Sequence, residues 1–195
     1  MATYTPPLRD MRFVMHELLN VEAALKELPP HADLDVDTIN AVLEEGGKFA
    51  SEVLQPLNAV GDREGCKLDK TTHEVKPPKG FKEAFAKYRE SGWGTLSSPV
   101  EYGGQGMPHL LGFVVEEFVA TANHAFGMYP GLTNGAVSAI IAKASPELQA
   151  KYLHKMVSNE WLGTMNLTEP HCGTDLGLIR TRAVPQADGS YAITR

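Results

Sequence analysis

Cysteine is scarce in this sequence, and the two present, Cys66 and Cys172, are too few for a disulfide scaffold or a thiolate zinc site. Basic charge is short as well: 18 Lys and Arg stand against 24 Asp and Glu, a formal net charge of −6. With no run of Lys or Arg longer than two, the composition argues against a surface for nucleic acid or anionic lipid. No stretch approaches the ~18 consecutive apolar residues that a bilayer span needs. The opening residues, Met1 to Pro7, lack the charged-then-apolar layout of a signal peptide. Internal repeats, low-complexity tracts and long charged blocks are missing too. What is present is an ordinary core inventory, 43% hydrophobic and 8% aromatic in 195 residues. At about 100–200 residues per domain, that is one domain, or one domain and a piece of another. These features predict a soluble, cytoplasmic globular protein.

The first 160 residues or so read as helices. Met11, Val14, Met15, Leu18, Val21, Glu22, Leu25 and Leu28 keep a helical spacing that Pro29-Pro30 stops. Ile39, Val42, Leu43, Gly46, Ala50, Val53, Leu54 and Leu57 repeat the period; Gly46-Gly47 should weaken that helix and Pro56 should kink or end it. Residues 61–80 predict a polar connection, and Phe81, Ala84, Phe85 and Tyr88 a short helix ending near Gly92. Gly103, Gly104 and Gly106 mark a loop whose backbone turns sharply or approaches something closely. From His109 to about Phe126 the chain is apolar on nearly every face, which predicts a buried helix. Ser145-Pro146-Glu147 restarts a helix, with Ser as N-cap and Pro in the first turn. After Trp161 the pattern changes. Residues 178–184 alternate with a strand period, Asp188-Gly189 favours a hairpin turn, and Tyr191 to Arg195 begins a return strand. The reading is mainly α: a helical bundle followed by the opening hairpin of a β domain that is cut short.

The most informative segment is Met165-Asn166-Leu167-Thr168-Glu169-Pro170-His171-Cys172-Gly173-Thr174-Asp175. It offers hydroxyls, two carboxylates and a run of backbone N–H groups at a junction between helices and strands. Pro170 and Gly173 fix a turn that aims those groups at one polar ligand, or else makes a linker whose side chains satisfy their own backbone.

Thr168-Glu169-Pro170-x-x-Gly173-Thr174-Asp175 resembles the T-E-P-x-x-G-S/T-D signature of the flavin-dependent acyl-CoA dehydrogenases. Pro99-Val100-Glu101-Tyr102-Gly103-Gly104-Gln105-Gly106 resembles that family's P-x-E-Y-G-G-x-G loop. Gln149-Ala150-Lys151-Tyr152-Leu153-His154-Lys155-Met156 looks like the helix leading into the signature. Tyr4-x-x-Pro7-Leu8-Arg9-Asp10-Met11-Arg12-Phe13 is similar to the N-terminal extension of a longer-subunit subgroup that includes methylthiopropanoyl-CoA dehydrogenases. Four matches in order cover essentially the whole chain.

The resemblance implies the N-terminal part of the acyl-CoA dehydrogenase fold: an extension over 1–33, a helical domain over 34–163, and from 164–195 the start of a middle β domain. It implies FAD as cofactor, with Met165, Asn166, Leu167, Thr168 and Thr174 against the flavin and Thr174 also near the CoA substrate. Part of the acyl pocket would come from the region of Phe126 to Ala136. The implied reaction takes an acyl-CoA to a trans-2-enoyl-CoA by α-proton abstraction and β-hydride transfer to flavin N5, with electron-transfer flavoprotein as acceptor and a homo-oligomeric full-length enzyme. The family's base is a carboxylate of the C-terminal domain, outside these residues. Glu169 and Asp175 are therefore read as holding the loop through backbone N–H groups, no catalytic residue is assigned, and the chain alone is expected to be inactive. Competing readings are a flavin monooxygenase or acyl-CoA oxidase on the same scaffold, and a non-catalytic helical interaction module. The seven histidines show no i, i+4 pair and no grouping with acid or thiol partners, so no metal site is expected. Cys172 is read as a small apolar filler.

Overall fold

The first helix does not run through to Pro29 as its periodicity predicts. In the computed structural model, which describes residues 3–194, α1 (Leu8–Arg12) passes into a π-helical turn over Phe13–Leu18. The chain then breaks at Asn20, and α2 (Val21–Lys26) follows. Asn20 takes φ 46° and ψ 55°, the left-handed region that asparagine tolerates better than most side chains. The break re-sorts the apolar positions: Met15, Val21 and Leu25 are buried, whereas Val14, Leu18 and Leu28 are exposed. Polar contacts hold the segment on α3 (Val36–Phe49). Arg12 Nε donates to Asn40 Oδ1 (3.1 Å), Arg12 pairs with Glu44, and the His16 ring lies between Glu22 and Asn40.

Asp35 caps α3, its carboxylate accepting from the Thr38 N–H at 2.7 Å. The Thr38 side chain and N–H hold that carboxyl below the ordinary carboxylate value. A lowered folded value means that the contribution is present above the unfolded value and is lost as pH falls through the folded one. Asn caps equally well without titrating. Asp35→Asn should therefore keep the neutral-pH melting temperature and flatten its acid-side decline, as read from thermal melts across a pH series.

Gly46-Gly47 does not interrupt α3. A Cβ on Gly46 would lie 3.2 Å from Val115 Cγ2, and one on Gly47 would lie 2.9 Å from Pro6 Cγ, so the pair permits close packing that overrides weak propensity. Pro56 does not end the second helical run either. A π-helical turn over Ala50–Leu54 leads into α4 (Gln55–Glu64), and Pro56 sits in the first turn of α4, where its missing N–H leaves no bond unmade. The connection expected over 61–80 is shorter than that and contains an antiparallel hairpin, β1 (Lys67–Leu68) and β2 (Val75–Lys76). α5 (Phe81–Glu90) follows.

α6 (His109–Lys143) is the longest element, and only part of it is buried. Leu111, Val115, Phe118, Val119, Ala122 and Phe126 face the core, while Phe113, Met128 and Tyr129 are exposed. The all-round apolar stretch is therefore not buried all round. α7 (Pro146–Val157) begins on Ser145, whose hydroxyl accepts from the Leu148 N–H. Gln149 ties three pieces together. Its Nε2 donates to Ile141 O (3.2 Å) and Ala144 O (3.1 Å) at the end of α6, and its Oε1 accepts from Tyr102 Oη (3.0 Å). Ile39, Leu43, Leu54, Leu111 and Phe118 form the centre of the main core, which Met15, Val21 and Leu25 join. Val137, Leu153, Met156 and Val157 make a smaller one.

Residues 164–194 form a second unit. The strand expected from 178 begins later, because Leu176–Leu178 is a 3₁₀ turn. β3 (Arg182–Pro185) pairs with β4 (Tyr191–Thr194) in antiparallel register, Arg182 opposite Thr194 and Pro185 opposite Tyr191. Arg195, expected in the return strand, lies outside the described residues. The fold is mainly α with two small hairpins, in the class the sequence predicts. Among the described residues no helix is long and apolar enough to cross a membrane.

Candidate functional site

Residues 165–168 lie at the start of the second unit, outside any helix or strand, and all four are exposed. None of their backbone groups bonds to another described residue. An unpaired, accessible backbone run is filled by solvent or by a ligand. At Glu169 the chain doubles back: Glu169 N–H donates to Cys172 O (2.9 Å) and Cys172 N–H to Glu169 O (3.1 Å), with Pro170 and His171 at the tip.

The Glu169 side chain is buried, at 7% exposure. Its carboxylate accepts from the Thr181 N–H (2.9 Å), the Arg180 N–H (3.2 Å) and the Thr181 hydroxyl. One carboxyl group thus closes the loop between the turn and the start of β3 through three hydrogen bonds. Asp175 Oδ1 accepts from the Gly177 N–H at 3.0 Å, a local turn of its own. Both carboxylates hold backbone, as the sequence reading expects. The hydroxyls of Thr168 and Thr174 have no hydrogen-bond partner among the described residues.

Cys172 is buried at the same turn. His171 Nε2 lies 2.9 Å from Leu178 O and 3.4 Å from Glu169 Oε2. Contrary to the reading of the histidines, one of them does group with an acid and a thiol: ligand-type atoms of Glu169, His171 and Cys172 lie within 4.8 Å of one another. Helical i, i+4 spacing misses such a group because a tight turn makes it. Both Glu169 oxygens already accept donors and His171 Nε2 faces a carbonyl, so the three work as a hydrogen-bonded staple rather than an open cradle.

The helical unit holds a cavity of about 240 Å³, walled by Trp93, Val115, Val119, Gly127, Met128 and Gly131. A Cβ on Gly131 would meet nothing within 4 Å. At its polar side Asn134 Nδ2 donates to Glu116 Oε1 (2.9 Å). Burial, with the Glu116 charge adding to it, pushes the Tyr88 phenol well above its ordinary value, so this lining residue stays neutral. The stretch singled out by resemblance, 126–136, supplies one wall. Trp93 and the first half of α6 supply the other, and sequence reasoning missed them. The Gly103-containing loop folds on itself, with a Cβ on Gly104 falling 2.0 Å from Ser98 O, so only glycine fits that turn.

A family model described as the acyl-CoA dehydrogenase N-terminal domain matches residues 37–160. The 3-methylmercaptopropionyl-CoA dehydrogenase of Ruegeria pomeroyi is 41% identical over 192 residues, 98% of this chain and 32% of that protein. The broad-specificity linear acyl-CoA dehydrogenase FadE5 of Mycobacterium tuberculosis is 34% identical over 193 residues, 99% of this chain and 31% of that protein. The chain thus spans about a third of the length of these curated relatives. Among solved structures, butyryl-CoA dehydrogenase from Megasphaera elsdenii aligns with a TM-score of 0.65 at 23% identity, over 83% of this chain and 40% of that one. That last likeness is one of fold.

Proposed function

The chain belongs to the acyl-CoA dehydrogenase family, and from that membership we propose that it is the N-terminal part of an FAD-dependent enzyme that oxidises an acyl-CoA to a trans-2-enoyl-CoA. The observation that carries the reading is the stapled loop: Glu169 fixes it, while the backbone of 165–168 and the Thr168 and Thr174 hydroxyls stay unpartnered. Apolar Met165 and Leu167 with alternating backbone donors and acceptors suit a flat heteroaromatic ring with polar edges, so the residues present fit a flavin. When bound, the flavin supplies the redox capacity that removes the substrate's β-hydrogen as hydride. Met165, Asn166, Leu167 and Thr168 then orient the ring, and Thr174 donates its hydroxyl toward the flavin or the CoA side of the substrate. The cavity walled by Trp93, Met128 and Gly131 takes the acyl chain and excludes water from it.

In this reading residues 164–195 open a second, β domain, and the base that abstracts the α-proton comes from a further domain. The electron acceptor is electron-transfer flavoprotein, the full-length enzyme is a homo-oligomer, and it works in the cytoplasm. The test is an anaerobic titration of the full-length flavoprotein with acyl-CoA thioesters. Loss of the flavin's visible absorbance, restored by electron-transfer flavoprotein, is the expected result. Stoichiometric peroxide release in air would favour an oxidase instead, and no bleaching with any thioester would overturn both. The 195-residue chain alone should purify colourless and reduce no acceptor; a yellow fragment with stoichiometric flavin would count against the division of labour.

A further inference from the structure

We propose that Asn123 is the positioning residue that sets the width of the acyl cavity, an inference that rests on the acyl-CoA reading above. α6 departs from helical geometry at this residue, at φ −159° and ψ 87°, in the middle of an otherwise continuous element. Its side chain is 1% exposed and makes two bonds. Oδ1 accepts from the Phe126 N–H at 3.0 Å, the Ncap-to-N3 bond with which asparagine starts a helix. Nδ2 donates to Leu54 O at 3.1 Å, across 69 positions of sequence, at the end of the π-helical turn. A single amide therefore starts the second arm of α6 and ties its first residue to the layer beneath.

The cavity lies between the two arms that meet at this corner. Gly112, Val115 and Val119 come from the arm before Asn123, and Gly127, Met128 and Gly131 from the arm after it. The angle at the corner fixes the separation of those walls. Pro130 makes the corner matter more: lacking an N–H, it cannot bond back to Phe126 O, so the early turns of the second arm rely on their cap. The other fully buried polar side chain of this arm, Thr133, is spent elsewhere, accepting from the Gly163 N–H at 3.1 Å.

The test compares wild type, Asn123→Ser and Asn123→Ala in the full-length holoenzyme, with butanoyl-CoA and octanoyl-CoA as probes. Ser keeps an acceptor for the Phe126 N–H and loses the tether to Leu54; Ala loses both. One methylene in an apolar pocket shifts selectivity ten-fold or more, so the ratio of the two kcat/KM values should move by about threefold in Ser and about tenfold in Ala. The change should sit in KM, with kcat and flavin content close to wild type. If Ala does not fold, Ser decides. Lower melting temperatures with the ratio unmoved, within about twofold, would reduce Asn123 to a stability residue and overturn the proposal. A wild-type holoenzyme whose flavin is bleached neither by these two nor by any other acyl-CoA thioester overturns the acyl-CoA reading and this inference with it.

Discussion

In the full-length protein, Glu169→Ala should weaken flavin retention on the order of a hundredfold, which at about 1.4 kcal/mol per decade is roughly 3 kcal/mol. The carboxylate is the shared acceptor of the Arg180 N–H, the Thr181 N–H and the Thr181 hydroxyl. Removing it leaves these part-buried donors without their acceptor, and each such group costs at most about 1–3 kcal/mol, less than additively, because the loop opens to water. The loop that opens is the one carrying Thr168 and Thr174, so stability and flavin affinity should fall together. Glu169→Gln keeps the shape but turns an N–H₂ toward at least one of those donors, and should land between wild type and Ala. The measurements are flavin dissociation and melting temperature on the same preparations. A rival role as a proton-transferring carboxylate makes a different forecast: Gln would keep its flavin and stability but lose turnover, with an altered pH–rate profile. That combination would move Glu169 from holding the loop to doing chemistry.

The elements that were legible in the sequence are those whose signals are local. Ser145 and Pro146 start α7 where the cap and the proline say it should start, and Asp188-Gly189 turns the hairpin between β3 and β4. The failures share a cause. Gly46-Gly47 reads as a weak point until α6 and Pro6 are seen packed against it, and the corner at Asn123 depends on a carbonyl at Leu54 that no window of sequence contains. The site divides in the same way. The signature placed the loop and both carboxylates, yet the partners of Glu169 lie 11 and 12 positions downstream, where the alternating pattern suggested strand. His171 and Cys172 meet Glu169 through a turn of four residues, a geometry that neither helical nor metal-ligand spacing encodes. The cavity was half visible, because Trp93 reaches it from a separate segment.

Thr174→Val in the full-length protein should leave folding nearly intact and weaken flavin retention or apparent acyl-CoA affinity by roughly five- to a hundredfold, following about 1.4 kcal/mol per decade. Valine keeps the β-branched shape and removes only the hydroxyl. The alternative role for Thr174, capping its own turn, forecasts the opposite pattern, lost stability with unchanged affinity. The turn after Cys172 is held by Asp175 through the Gly177 N–H and by Glu169 through the Arg180 and Thr181 N–H groups just ahead of β3. The Thr174 hydroxyl takes no part in either bond, and the residue is exposed. A hydroxyl that bonds nothing in the protein loses little stability on removal, whereas one that donates to a buried acceptor on a ligand leaves that acceptor unpaired, at about 1–3 kcal/mol. Melting temperature and flavin dissociation measured on one Thr174→Val preparation therefore decide the assignment. A drop in stability with flavin and thioester affinity untouched would remove Thr174 from the site and leave the backbone of 165–168 as its polar edge.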